Sequence, residues 1–158
     1  MADNAEFLPR PADVPLIAAD VARGVSRLFF RADLMVLCEV PLGNGRRADI
    51  MAIDGRGGIV IVEIKVSRAD LLGDMKWPDY LDYCDRFFFA KPPELDAGIF
   101  PAGEGLIVAD SHGAEILRMA EETVLSPPRR KAMMLKLARL GADRVHALMD
   151  PLTGSEGP

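Results

Sequence analysis

Two cysteines, two histidines, one tryptophan and two tyrosines are all this chain of 158 residues has of the side chains that most often build metal centres and aromatic cages. Cys38 and Cys84 are too few for a disulfide framework or a four-thiolate zinc site, and both stand among apolar neighbours, as small core residues do. His112 and His146 lie far apart, and neither has a metal-ligand partner at helical or turn spacing. No phosphate-binding P-loop, Gly-rich dinucleotide fingerprint or serine nucleophile elbow is present. No run reaches the ~18 apolar residues of a membrane span. The segment Met1 to Asp20 carries acids and prolines where a secretory signal would carry a basic start and an apolar run. The expectation is a cytoplasmic protein with no membrane contact. Positive charge is also short. There are 19 Lys and Arg against 24 Asp and Glu, a net charge of −5. That excludes a uniformly basic nucleic-acid binder but leaves room for a local basic patch.

What is present is an ordinary globular composition, 49% hydrophobic and 27% charged. The length predicts a single domain over 1–158, with a loose arm over 1–12 and a frayed tail over 150–158. Ile17, Val21, Val25, Leu28 and Phe29 recur at helical spacing, which predicts a first helix from Val14 to Phe30. Short apolar runs predict strands over 34–40, 46–53 and 59–66, joined by turns at Gly43-Asn44-Gly45 and Asp54-Gly55-Arg56-Gly57-Gly58. Ser67, with Asp70 three residues on, starts a second helix, which Pro78 kinks before it continues to Cys84. Further strands follow over 86–90, 105–109 and 114–119, with a loop over 91–103. Pro127 and Pro128 open a helix running to about Met149. The fold class is α/β, a central mixed β-sheet flanked by helices.

Three polar residues interrupt these strands. Asp49 lies between Ala48 and Ile50, and Glu63 and Lys65 lie in Ile61-Val62-Glu63-Ile64-Lys65. A charge in an apolar strand costs several kcal/mol unless it is paired or binds a metal. Glu63 and Lys65 are two residues apart and project from one face. Asp49, on the neighbouring strand, can share it. Two carboxylates and an ammonium suit metal-assisted phosphodiester hydrolysis. Asp49, Glu63 and the Ile64 main-chain carbonyl would hold Mg2+ or Mn2+, and Lys65 would orient or deprotonate a water or neutralise an oxyanion. The alternative is a buried Glu63–Lys65 or Asp49–Lys65 ion pair that only holds the sheet together. The acid-x-Lys triplet alone is weakly specific. Asp74-Met75-Lys76 is another, expected within an amphipathic helix and without a role.

Asp49 followed by Glu63-Ile64-Lys65, on strands flanked by helices, resembles the PD-(D/E)xK nuclease superfamily. A longer string resembles the MmcB-type bacterial DNA repair proteins over about residues 14–148: Glu39-Val40-Pro41-Leu42, Gly45-Arg46-Arg47-Ala48-Asp49, Ile61 to Lys65, Lys76-Trp77-Pro78-Asp79-Tyr80, and Cys84-Asp85-Arg86-Phe87-Phe88-Phe89-Ala90. The resemblance implies a restriction-endonuclease-like core, a Mg2+- or Mn2+-dependent deoxyribonuclease site at Asp49, Glu63 and Lys65, and a role in DNA repair. It implies DNA as partner, with other repair proteins and a homodimer left open. The alternative function is an inactive nuclease-fold module that binds DNA or serves as an adaptor. Ala48 stands where the motif's name has proline. The first helix offers Asp13 and Asp20 where many superfamily members place a glutamate. Glu39 is the candidate third metal ligand, although a two-residue Asn44-Gly45 turn would pair it with Ile50, off the Asp49 face.

Candidate nucleic-acid contacts surround this set. Arg46, Arg47 and Arg56 flank the turns, where they can grip phosphates or simply face solvent. Ser67, Arg68 and Lys76 follow the third strand, with capping and solvation as the plain alternative. Trp77, Tyr80 and Tyr83 cluster within seven residues and suit base stacking or the core. Residues 127–140 hold Arg129, Arg130, Lys131, Lys136 and Arg139 and no acid, either a phosphate-tracking face or a solvated one.

Overall fold

Six strands make one open mixed sheet in the simple order β1-β2-β3-β4-β5-β6. The computed structural model describes residues 16–151. The arm expected over 1–12, Asp13 and the tail beyond Pro151 lie outside them. The strands are β1 (Met35–Pro41), β2 (Arg47–Ile53), β3 (Ile59–Ile64), β4 (Arg86–Lys91), β5 (Gly105–Ala109) and β6 (Ala114–Arg118). β1, β2 and β3 pair antiparallel, β3, β4 and β5 parallel, and β5 and β6 antiparallel. The expected α/β class and mixed sheet are what the chain forms.

Every residue of β3 is buried. That is why its sequence is so largely apolar: both faces are covered. On one face lies helix α1 (Ala18–Arg31), which packs Val21, Val25 and Phe29 against Ile50, Val62 and Phe88. Asp20 fixes its first turn by accepting from the Ile17 amide at 3.0 Å. The helix therefore starts later than the expected Val14. Gly24 lets it approach the β5–β6 turn; a Cβ there would stand 2.2 Å from the Asp110 carbonyl oxygen.

The other face is covered by α2 (Arg68–Gly73), a 3-10 helix over Trp77–Tyr83, and α3 (Pro127–Met149), which inserts Met133 and Leu137. The kinked second helix expected from Ser67 to Cys84 is two separate pieces. Ser67 caps α2 as expected, accepting from the Asp70 amide. Asp74 then leaves helical geometry at φ −106°, ψ 90°, and Pro78 sits in the first turn of the 3-10 helix. Proline is tolerated at a helix start and breaks a helix interior, so the chain restarts instead of bending.

The β1–β2 hairpin differs from expectation by one residue. The Leu42 amide donates to the Arg46 carbonyl, leaving a three-residue loop, Gly43-Asn44-Gly45, with Gly45 at φ +82°. A three-residue loop ending on a left-handed glycine is a common hairpin connection. Cys38 then pairs with Ile50 and Val40 with Ala48. Glu39, at φ +54°, lies across from Asp49 and not from Ile50. A one-residue slip exchanges the two faces of a strand.

The start of α3 is anchored by Asp85. Its buried carboxylate accepts from the Ile59 and Leu125 amides at 2.7 and 2.8 Å and takes both terminal nitrogens of Arg130 at 2.7 Å. Burial opposes ionisation here, but the Arg130 fork and the two amides outweigh it and hold the pKa at about 2.

Candidate active site

Asp49 and Glu63 face each other across β2 and β3. Ile50 pairs with Val62, so the next pair along the antiparallel register is Asp49 with Glu63. Both lie on the face that carries Met51, Ile61 and the 3-10 helix. Asp49 is half-buried, and its Oδ2 accepts from the Ile64 amide at 2.7 Å. Glu63 is buried, and its Oε2 has no hydrogen-bond partner, the one buried side-chain polar atom so placed among the described residues. Burial first, and then the charge of Asp49, push the Glu63 carboxyl up to about 8. Burial also raises Asp49.

Lys65 is buried at 5% exposure and donates its ammonium to Asp74 Oδ2 at 2.8 Å. Glu63 Oε1 stands 3.7 Å away and Asp70 Oδ1 3.9 Å. Burial works against this charge. The Asp74 hydrogen bond and the nearby carboxylates outweigh it and raise the lysine's pKa, so Lys65 is held as a cation. Asp74 is itself fixed: its Oδ1 accepts from the Lys76 amide at 3.1 Å. The expectation that Asp74 belongs to an amphipathic helix without a role therefore does not hold. Gly73 ends α2, and the freed Asp74 turns to the lysine. The acid-x-Lys pattern singled out the residue; only the helix break gives it a partner.

Glu39 lies beside Asp49 in register, but its carboxylate is exposed and pairs with Arg47 Nε at 2.6 Å. Arg144 of α3 donates to the Cys38 and Glu39 carbonyls, the latter at 2.7 Å, and so braces the backbone around this left-handed residue. Sequence spacing gives no sign of Arg144. Asp20 caps its own helix on the opposite face. Among the described residues no three His, Cys, Asp or Glu side chains are grouped to hold a metal. At this end of the sheet the two carboxylates that face each other are Asp49 and Glu63.

That pair fits a hard divalent ion. Two facing carboxyl groups whose burial opposes ionisation, with one oxygen lacking a hydrogen-bond donor, would be stabilised in their charged forms by a cation. Mg2+ is commonly held by one or two carboxylates together with water and substrate phosphates.

The outer candidates divide. Trp77 stacks on Phe87 at 5.7 Å and meets Phe89 edge-on, and Tyr80 stacks on Phe87 and donates its hydroxyl to the Arg47 carbonyl. Tyr80 is buried in the core, whereas Trp77 packs against that core and stays half-buried. Burial and the charge of Glu63 hold the Tyr80 phenol above its usual pKa. Arg130 is committed to Asp85 and to the Gly57 carbonyl, which corrects its reading as a phosphate contact. Arg129 is exposed and lies over the Tyr83 ring at 4.6 Å. Arg46 pairs with Asp79 at 3.3 Å. Arg47, Arg68 and Lys76 are exposed near the site, and Ser67 serves α2 as its cap. Both cysteines are free thiols, and burial pushes Cys84 up to about 12.

No helix among the described residues is long and apolar enough to cross a membrane. Residues 12–152 match the family model described as DNA repair protein MmcB-like. A solved structure of a protein of unknown function from Silicibacter pomeroyi is similar at 40% identity and a TM-score of 0.84, covering 92% of this chain and 97% of that one. No curated protein matches the chain.

Proposed function

The chain belongs to the MmcB-like DNA repair protein family, and from that premise we propose that it is a metal-dependent deoxyribonuclease with its site at Asp49, Glu63 and Lys65. One observation carries this reading: the carboxyl groups of Asp49 and the buried Glu63 are set against each other across β2 and β3. A pair that only held the sheet together would need one carboxylate for Lys65 and would not place two against each other. Asp49 and Glu63 would hold Mg2+ or Mn2+, joined by the Ile64 main-chain carbonyl. When bound, the ion would supply Lewis acidity toward a phosphate oxygen and an acidified water.

The remaining work falls to the chain. Asp49, fixed by the Ile64 amide, keeps its carboxylate in one orientation. Lys65, held charged by Asp74, offers positive potential to a phosphate oxyanion from a largely dry position. As a clamped ammonium it serves charge stabilisation and not proton abstraction. Exposed Arg47, Arg68 and Lys76 would grip flanking phosphates.

The test is cleavage of labelled DNA (single-stranded, duplex, flap and junction) with Mg2+ or Mn2+. Wild type should cut at least one substrate, Glu63→Ala should abolish cutting, and Lys65→Ala should slow it by about 100-fold. Cleavage by Glu63→Ala at the wild-type rate sinks the proposal. A second reading, a DNA-binding module without turnover, is favoured by the engagement of Glu39 with Arg47, which leaves two carboxylates at the site. It predicts DNA binding that persists with no product under either metal.

A further inference from the structure

On the face of the sheet away from Asp49 and Glu63, α1 carries Arg23, Arg27 and Arg31 at four-residue intervals. Such residues form one stripe with a rise of about 6 Å between neighbours. Phe30 stands beside them, 70% exposed. These four residues, with Ser26, Leu34, Met35 and Val36, line a cavity of about 550 Å3 between α1 and the start of β1. No acidic side chain lines it among the described residues. Arg27 donates one guanidinium nitrogen to the His112 carbonyl at 3.1 Å, which ties that end of the group to the β5–β6 turn and leaves its other nitrogens for a ligand. Two exposed guanidinium groups, of Arg27 and Arg31, stand with this open ring on a chain of net charge −5.

We propose that this face of α1 is a second nucleic-acid contact surface, separate from the cleavage site, that takes single-stranded DNA. Arg27 and Arg31 would follow the phosphates, and Phe30 would stack a base. A duplex keeps its bases stacked inside and offers Phe30 no partner, which favours the single strand. Met35, beside the cavity, and Glu39, beside Asp49, are four residues apart on β1, roughly 13 Å, on an edge strand. A flexible strand can turn around that edge from one surface to the other. The inference does not depend on the chain being a nuclease.

Fluorescence anisotropy in EDTA, where no metal-dependent cleavage occurs, tests it with a labelled single strand and its duplex. The variants are Arg27→Glu with Arg31→Glu, and Phe30→Ala, with thermal unfolding to confirm that each folds. The charge reversal should weaken single-strand binding by at least about 10-fold and lower the salt slope by about 1.4, two phosphate contacts' worth. Phe30→Ala should weaken single-strand binding by about 10-fold and leave the duplex unchanged. Wild-type affinity in both variants, or no binding by wild type, overturns the proposal. Equal loss on strand and duplex in Phe30→Ala overturns the single-strand assignment. A dimer that Phe30→Ala dissolves, with DNA binding unchanged, makes the face a self-association surface instead.

Discussion

Replacing Glu63 with glutamine should make the metal-free protein more stable at neutral pH. In the fold the carboxyl titrates at about 8, against an ordinary value of 4.5. Between those two pH values the unfolded chain has released its proton and the folded chain has kept it. Stability is therefore fully present below 4.5 and declines as pH rises toward 8. Each pKa unit is worth about 1.4 kcal/mol, so by pH 7 this one group costs about 3 kcal/mol. The glutamine amide would keep the shape and remove the ionisation. Thermal unfolding in EDTA from pH 5 to 8.5 reads the difference. The melting temperature of Glu63→Gln should exceed that of wild type by on the order of 6–12 °C at pH 7, and the gap should close toward pH 5. Adding Mg2+ should then raise the wild type's melting temperature and leave the variant's unmoved. Curves that stay parallel across this range refute the reasoning, because they would mean that Glu63 is ionised and balanced without a metal.

Arg130→Ala should destabilise by about 3–5 kcal/mol, since it strips the partner from a buried carboxylate; denaturant unfolding measures this, and metal affinity should not change. Asp74→Asn should slow cleavage by about 10-fold or more through loss of the anchor that holds Lys65, with metal affinity retained and Asp74→Glu recovering most of the rate in steady-state kinetics. Gly24→Ala should lower stability by about 1–3 kcal/mol in the same unfolding assay, because its new methyl meets main-chain oxygens of the β5–β6 turn that have no freedom to move aside.

The fold was legible where local chemistry decides it. The apolar run of β3 announced a strand covered on both faces, and the prolines at 127 and 128 announced the start of α3. Asp49, Glu63 and Lys65 were legible because charges in apolar strands need a reason. What escaped depended on distance through space. The Glu39 position turned on whether one loop has two residues or three, which Gly43-Asn44-Gly45 leaves open. Asp74 looked like a helix residue until the helix ended one position before it. Arg130 looked like part of a basic face because Asp85, its partner, is 45 residues away in sequence. Tyr80 looked available for bases because its stacking partner, Phe87, belongs to the next strand.

The central claim is that Asp49 and Glu63 together hold a divalent cation. Calorimetric titration of Mg2+ and Mn2+ into wild type, Asp49→Asn and Glu63→Gln at pH 7, in two buffers of different ionisation enthalpy, tests it most directly. The account predicts one site in wild type, lost in either variant, with close to one proton released per ion bound as Glu63 ionises. Binding of equal strength in all three proteins, or none in wild type, would contradict it.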